Sequence, residues 1–515
     1  MGFLGAALTV DLTTRTATTE ALDERTVRRY LGGRGLNVWQ QQRFIRPDID
    51  PLGPENVLLL SCGLLTGTET PASARLQLGT CSPQTGLLGS SNVGGHFGAA
   101  LRAAGFHTVR ITGQADAPVY LWIDADGVEI RDAEGLWGLD THAAAQAVKA
   151  RTPPGAKMLV IGVSGENLVR YGSVHTDDGH AAGRTGLGTV MGSKRLKAIV
   201  IAHQPERHKS DPHVRALVHE YARSIRSAER YPIYSTYSNS VYLTWANDLG
   251  ILGTRNFQTA QFESAEQVDG KHMASYVTRA KSCHRCPVHC KAEVRIEHGR
   301  FAQMTGERPD IEPLMAFSAR IGVDEPEAVM YLFHLANALG MDAISAGGVV
   351  AFAMDLYARG ILTAQDTGGL ALNWGDADAA AALMHRIARR EGLGDALAEG
   401  VREAARRIGR GAEHYAYHSK GLELPGYDPR GAQGTALGFA ISNRGADYTS
   451  VYPSLEFFWS PEQGKAFFGS AESVDYRSPV GKGALVKHAA IVSAVLDSLG
   501  ICKVPVLSVV GDFSL

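Results

Sequence analysis

The chain has 515 residues, 44% of them hydrophobic and 20% charged, with 51 basic against 53 acidic side chains. That balance suits a folded protein of roughly two to four domains and excludes intrinsic disorder. The net charge of −2 provides no electrostatic footprint for nucleic acid or for an anionic membrane surface.

From the N-terminus the pattern is strand-like. Leu8, Val10 and Leu12 alternate with polar residues, "VYLWIDADGVEI" reads as a hairpin turning at Asp126-Gly127, and "MLVIGVSGEN" and "LKAIVIAH" read as buried strands. Arg28-Arg29-Tyr30-Leu31 superficially matches a twin-arginine export signal, but no apolar core or small-residue cleavage pattern follows it. No apolar run reaches the roughly 18 residues of a membrane span, so the expectation is a cytoplasmic protein that does not cross a bilayer. Three glycine-rich stretches, "YLGGRGLN", "GLLGSSNVGGHFG" and "HAAGRTGLGTVMGSK", would let backbone amides approach a ligand, with Arg34, Arg75, Arg184 or Lys194 available to face phosphate. Tight turns between twisted strands would use the same residues.

At "HQPERHKSDP" the period changes. Ser210 or Asp211 caps a helix with Pro212 in its first turn and Val214, Leu217, Val218, Tyr221 and Ile225 on one face. Beyond it the pattern is helical, with a glycine-rich interruption at "KGLELPGYDPRGAQG". The expected architecture is α+β: an N-terminal mainly β domain over 1–207, then two mainly helical domains over 208–419 and 420–515.

Three of the six cysteines fall within "KSCHRCPVHCK". The spacing C-x2-C-x3-C suits a tetrahedral zinc, with His284 or His289 as fourth ligand, or one corner of an iron-sulfur cubane. Cys502 is the other cysteine in the C-terminal half, whereas Cys62 and Cys81 read as small buried residues. "NALGMD", Asn337 to Asp342, is echoed by "DSLGIC", Asp497 to Cys502. Helix ends carrying glycine produce such echoes, and two equivalent loops also suit a ligand with two equivalent halves.

Over nearly its whole length the chain resembles the aldehyde:ferredoxin oxidoreductases, tungsten enzymes with a bis-pterin cofactor. "YLGGRGLN", "SSNVGGHFG", "GENLVRYG" and "AAGRTGLGTVMGSKRLKAI" are similar to that family's first domain. "CHRCPVHC" with "DSLGIC", "NALGMD", "KGLELPGYDPRG" and "SNRGADY" are similar to the remainder. The resemblance implies that Cys283, Cys286, Cys290 and Cys502 bind one 4Fe-4S cluster and that Arg75 sits between cluster and pterin. It implies further that Asn92 and Ala182 hold, through backbone carbonyls, a magnesium ion bridging the pterin phosphates, with Gly94, Gly95, Gly183 and Arg184 shaping the cradle. Asn337, Asp342 and Asp497 fall on the pterin-binding loops, and tungsten or molybdenum would be held by dithiolene sulfurs alone. Glu312 occupies the family's active-site glutamate position. The family's histidine falls on Tyr448, preceded by Asp447, one of which is expected to line the pocket; tyrosine is a poorer acid near neutrality. A largely neutral helical setting around Cys290 is expected to keep the cluster potential low.

Further departures are Asn337 in place of aspartate, the absence of any Glu-x-x-His motif, with Tyr331 at its acid position, and an end thirteen residues after Cys502. The last implies pocket walls that are missing or come from a partner. The function expected is oxidation of an aldehyde to a carboxylic acid, with electrons passed through the cluster to a ferredoxin-like carrier and a partner subunit or homo-oligomer allowed. The alternatives are reduction of an acid or thioester by the same centre, a non-catalytic iron-sulfur electron-transfer subunit, and, more remotely, a zinc-stabilised binding protein.

Overall fold

Runs rich in β-branched and leucine residues and bounded by glycine build two six-stranded sheets in the N-terminal part of the chain. The structure, a computed structural model, describes residues 5–124, 127–202 and 211–511. The first sheet contains β1 (Ala6–Asp11), β2 (Thr16–Ala21), β3 (Leu58–Cys62), β4 (Leu76–Cys81), β5 (Leu88–Val93) and β6 (Phe106–Thr112), in the order β2-β1-β6-β3-β4-β5. The second contains β7 (Val119–Ile123), β8 (Val128–Asp132), β9 (Lys157–Ile161), β10 (Val174–Thr176), β11 (Ala181–Ala182) and β12 (Leu196–Ile201), in the order β11-β10-β9-β12-β7-β8. Each sheet has one parallel pairing, β1 with β6 and β12 with β7. Both faces are covered, which is why β3, β4 and β12 are buried at every position. The β7–β8 hairpin forms as expected, although Asp126 of its turn lies outside the described residues.

The remainder is mainly helical, giving the α+β architecture. A large core runs from Val169 to Ala432, around the helices Pro326–Leu339, Ala343–Ala358 and Ala377–Arg389. A smaller one, from Val451 to Leu507, forms around Lys482–Leu499. The expected boundary at 207/208 and the candidate cap Ser210 lie outside the described residues; that at 419/420 falls inside a short strand pair, His418–Ser419 with Leu422–Glu423. The helix Pro212–Ser227 starts at Asp211, whose carboxylate accepts from the His213 amide. Its apolar stripe is covered only toward its C-terminal end: Ile225 is buried and Val218 and Tyr221 are half-buried, but Val214 and Leu217 are 45% and 54% exposed.

Both echoed hexapeptides are helix C-termini with a left-handed glycine, Gly340 at φ 75° and Gly500 at φ 80°. Gly340 packs on Gly162, which follows β9, and Gly500 on Gly63, which follows β3. The hydrogen bonds repeat as well. Ser173 N donates to Gly340 O and Asp342 N to Tyr171 O, at 2.8 and 2.9 Å; Arg75 N donates to Gly500 O and Cys502 N to Ala72 O, at 3.1 and 3.0 Å. Each sheet thereby anchors one helix end in the seam between the β-rich and helical parts.

Candidate functional site

The cysteine loop is the tip of a hairpin, not a helical segment. It joins β13 (Val277–Lys281) to β14 (Lys291–Arg295), with Lys281 paired to Lys291 at its base and β15 (Thr305–Glu307) alongside. Arg285 and His289 take left-handed φ values of 50° and 53°, and Cys286 N donates to Cys283 O at 3.1 Å, closing a tight turn. Gly500 turns the chain so that Cys502 enters from the opposite side.

Arg75 joins the two sides. Its Nη2 donates to Cys502 Sγ at 2.7 Å and its Nη1 to Asn92 Oδ1 at 3.0 Å. Burial opposes the guanidinium charge, but Cys502, Cys283 and Cys290 outweigh it and keep the group protonated. Arg75, Gly94, His180, Cys283, Cys290, Lys291 and Asp310 line one cavity, and Cys286 and Cys290 border a small apolar cluster with Ile225, Tyr234, Val288 and Val509. A side chain on Gly94 would lie 3.0 Å from Cys283 Sγ, so glycine is what lets β5 approach the thiol. His180 Nε2 is 3.7 Å from Cys283 Sγ. The expected neutral helical setting around Cys290 is not what forms: β14 and the segment before Glu312 bring in the half-buried pair Lys291 and Asp310, 2.6 Å apart. Among the described residues no three His, Cys, Asp or Glu side chains converge at single-ion spacing. Cys283 and Cys290 line the cavity, Cys286 borders the adjoining apolar cluster and Cys502 is held on Arg75, a spread-out set of four sulfurs that fits a cubane better than one zinc ion.

The expected cofactor residues fall into two buried groups. Beside the thiols, Asn92 Nδ2 donates to Asp497 Oδ1 at 3.4 Å, Lys503 Nζ lies 2.8 Å and Arg34 Nη1 3.6 Å from Asp497 Oδ2, and Gly95 takes φ +84° against Asp178. On the second sheet, Ala182 ends β11, a side chain on Gly183 would lie 3.1 Å from Asp342 Oδ1, and Arg184 Nη1 donates to Asp342 Oδ2 at 3.1 Å. Asn337 is buried, with its carbonyl accepting from Thr141 Oγ1 at 2.8 Å. Arg444 stands between the groups: burial works against its charge, while Asp447, Asp497 and Asp342 raise its proton affinity. Arg184 Nε, Arg444 Nε, Gln77 Nε2 and Asn37 Oδ1 are buried without protein partners along this seam. Such orphaned donors and acceptors, beside glycines that keep the backbone bare, fit a polar anionic ligand.

Glu312 lies in the first turn of the helix Ile311–Phe317. Its Oε2 accepts from Gly426 N at 2.8 Å, and its Oε1 is buried with no hydrogen-bond partner. Burial raises its pKa, opposed by the Gly426 amide and by the hydroxyl of Tyr448 facing it. Burial and Glu312 together push the Tyr448 phenol well above its usual value, so it acts as a hydrogen-bond donor and not as an anion. Tyr448 lines a second cavity. Asp447 is occupied elsewhere: Arg444 lies 2.6 Å away and the amides of Ser450 and Thr449 donate at 2.8 and 3.2 Å. It positions the loop that carries Tyr448 and does not share the pocket wall.

His180, the Lys291–Asp310 pair, Arg444 and Lys503 were not singled out from the sequence. Lys291 and Lys503 directly follow motif cysteines, and Arg444 precedes Asp447 by three residues, which is the signal that could have found them.

A family model described as aldehyde ferredoxin oxidoreductase, N-terminal domain, matches residues 7–203, and one described as aldehyde ferredoxin oxidoreductase, domains 2 and 3, matches residues 216–514. The tungsten-containing aldehyde ferredoxin oxidoreductase of Pyrococcus abyssi is 38% identical over 461 residues, spanning 88% of this chain and 74% of that protein. The aliphatic sulfonate oxidoreductase WOR-like subunit of Pyrococcus furiosus is 32% identical over 493 residues, 91% of this chain and 78% of that one. Among solved structures, the active site complex BamBC of benzoyl coenzyme A reductase, in complex with 1,5 dienoyl-CoA, superposes with a TM-score of 0.83 at 27% identity, covering 97% of this chain and 81% of that chain. The chain belongs to the aldehyde ferredoxin oxidoreductase family.

Proposed function

We propose that the protein is a tungsten (or molybdenum) bis-pterin oxidoreductase with one 4Fe-4S cluster, oxidising an aldehyde to a carboxylic acid and passing electrons to a ferredoxin-like carrier. The observation that carries this reading is Arg75, which bonds a cluster thiol with one arm and, through Asn92, reaches the Asp497 loop with the other. Cys283, Cys286, Cys290 and Cys502 would hold the cluster. Asn92 and Ala182 would offer backbone carbonyls to magnesium, Gly94, Gly95, Gly183 and Arg184 would cradle the pterin phosphates, and Asn337, Asp342 and Asp497 would bond the pterins. When bound, the metal centre would supply two-electron chemistry and the cluster one-electron transfer.

The balance is RCHO + H2O → RCOO− + 3 H+ + 2 e−, with the electrons taken by two one-electron carriers. Glu312 is the group placed to move a proton: its free Oε1 has no competing partner, and burial makes it more basic than an ordinary glutamate. Tyr448 faces the same carboxyl as a neutral phenol, and the Gly426 amide on Oε2 fixes the orientation of the carboxyl. Glu312→Gln is expected to lower turnover by about 100-fold with little change in iron content; unchanged turnover removes the glutamate from the mechanism.

No helix among the described residues is long and apolar enough to cross a membrane. Anoxically purified protein is expected to be brown, with about four irons, and to carry about one tungsten or molybdenum and two pterins per chain. Zinc without colour overturns the reading, and cluster without tungsten, molybdenum or pterin indicates an electron-transfer subunit. Reduction of an acid or thioester-type substrate by the same centre is a second reading; what supports it is that the benzoyl coenzyme A reductase neighbour is named as a reductase and holds a thioester ligand. Turnover of a thioester with a low-potential reductant, absent with aldehydes, would select it.

A further inference from the structure

The second cavity, about 660 Å3 with its mouth, has an unusual wall. None of its lining side chains is charged, and Tyr242, Trp245, Tyr427, Tyr448, Phe457 and Phe458 are among them. These rings are already arranged about one another. Trp245 meets Phe457 edge-on at 5.1 Å and lies nearly parallel to Phe458 at 5.9 Å, while Tyr427 meets Tyr448 edge-on at 5.4 Å. At one end, Tyr448 faces Glu312. Tyr234, Asn239 and Val504 separate the cavity from the one lined by Cys283 and Cys290, since they border both. A single hydroxyl, Ser454 Oγ, is buried in this wall without a partner.

A flat ring entering such a wall gains burial on both faces and edge-to-face contacts with rings that need not rearrange. A carboxylate or phosphate would lose its hydration with no cation in the wall to replace it. We propose that the substrate is an uncharged aryl aldehyde, its ring held among Trp245, Phe457 and Phe458 and its carbonyl carbon at the Tyr448–Glu312 end. This rests on the aldehyde-oxidising reading above. The reaction is ArCHO + H2O → ArCOO− + 3 H+ + 2 e−, the electrons passing to two equivalents of a one-electron carrier. The product is anionic and meets no cation in the walls, so the same surface that attracts the aldehyde releases the acid.

The test uses anoxically prepared holoenzyme with benzyl viologen as acceptor. Expected kcat/KM is about tenfold higher for benzaldehyde than for cyclohexanecarbaldehyde of similar size, and about 100-fold higher than for anionic succinic semialdehyde. Independently of turnover, benzamide should quench tryptophan fluorescence, and Trp245→Phe should abolish that quench. Equal or faster oxidation of the aliphatic or anionic aldehyde, or no benzamide quench, overturns the proposal while leaving aldehyde oxidation standing. Benzamide quenching without oxidation of any aldehyde overturns the aldehyde reading and leaves an aryl-binding pocket.

Discussion

The loops Asn337–Asp342 and Asp497–Cys502 share a backbone and differ in equipment. Each ends a helix in a left-handed glycine, rests that glycine on another that follows a strand, and makes the same pair of backbone hydrogen bonds to its own sheet. The sixth position separates them. In the first loop it is Asp342, paired with Arg184; in the second it is Cys502, bonded by Arg75. Both pairs set an arginine from the β-rich part against a loop residue from the helical part. One gives a closed ion pair, and the other leaves a sulfur available to a metal. Repeating a backbone device therefore does not repeat a function, because the chemistry is set by the side chain presented at one position.

The sharpest test of that difference is Cys502→Ser. Iron is expected to fall from about four per chain to near zero, while Asp342→Ser keeps the iron; equal loss in both would mean that the loops act alike. The shared device can be broken next. A methyl group on Gly162 would lie 2.6 Å from Leu339 O, and one on Gly63 would overlap the backbone of Gly500. Gly162→Ala and Gly63→Ala should therefore each cost about 3 kcal/mol or more in denaturant unfolding. Asp342→Ala removes the carboxylate paired with the buried Arg184, leaving it the carbonyls of Glu423 and Ala446, and is expected to cost about 3 kcal/mol. Asp497→Ala should cost less, because its partners Lys503 and Arg34 are 13% and 18% exposed against 7% for Arg184 and can be hydrated.

The smallest effect is a pH dependence. Burial would raise the Asp447 carboxyl, but Arg444 and the donors of Ser450 and Thr449 outweigh it and hold it well below its ordinary 3.8. A depressed carboxyl contributes stability that is fully present above the unfolded value and is lost as pH falls below it. Below pH 3.8, Asp447→Asn should therefore flatten the fall in unfolding free energy by up to about 1.4 kcal/mol per pH unit. An unchanged slope would show that the pair with Arg444 does not stabilise the loop between the two acids.

Much of this was legible beforehand because it is written in short spacings. The β-rich first part, the helical remainder, the cysteine triplet and the glycine at each helix end all follow from periodicity or from a residue with few conformational choices. The pairing of Asp447 was not legible, since its partner Arg444 is near in sequence but their geometry depends on a loop held from outside by Ser90 O. Nor was the charged setting of Cys290, which comes from a hairpin meeting Asp310. The partly exposed stripe of Pro212–Ser227 illustrates the converse: periodicity fixes which residues share a face, not whether anything covers it.

By itself the sequence determined which residues could bind metal, turn backward or enter a sheet, because those capacities belong to single side chains and their neighbours. Tertiary structure decided which thiol met Arg75, which acid stayed without a partner at Oε1, and which rings enclosed one cavity. Those relations join segments hundreds of residues apart, and their strength depends on desolvation that exists only once the sheets and helices have closed over them.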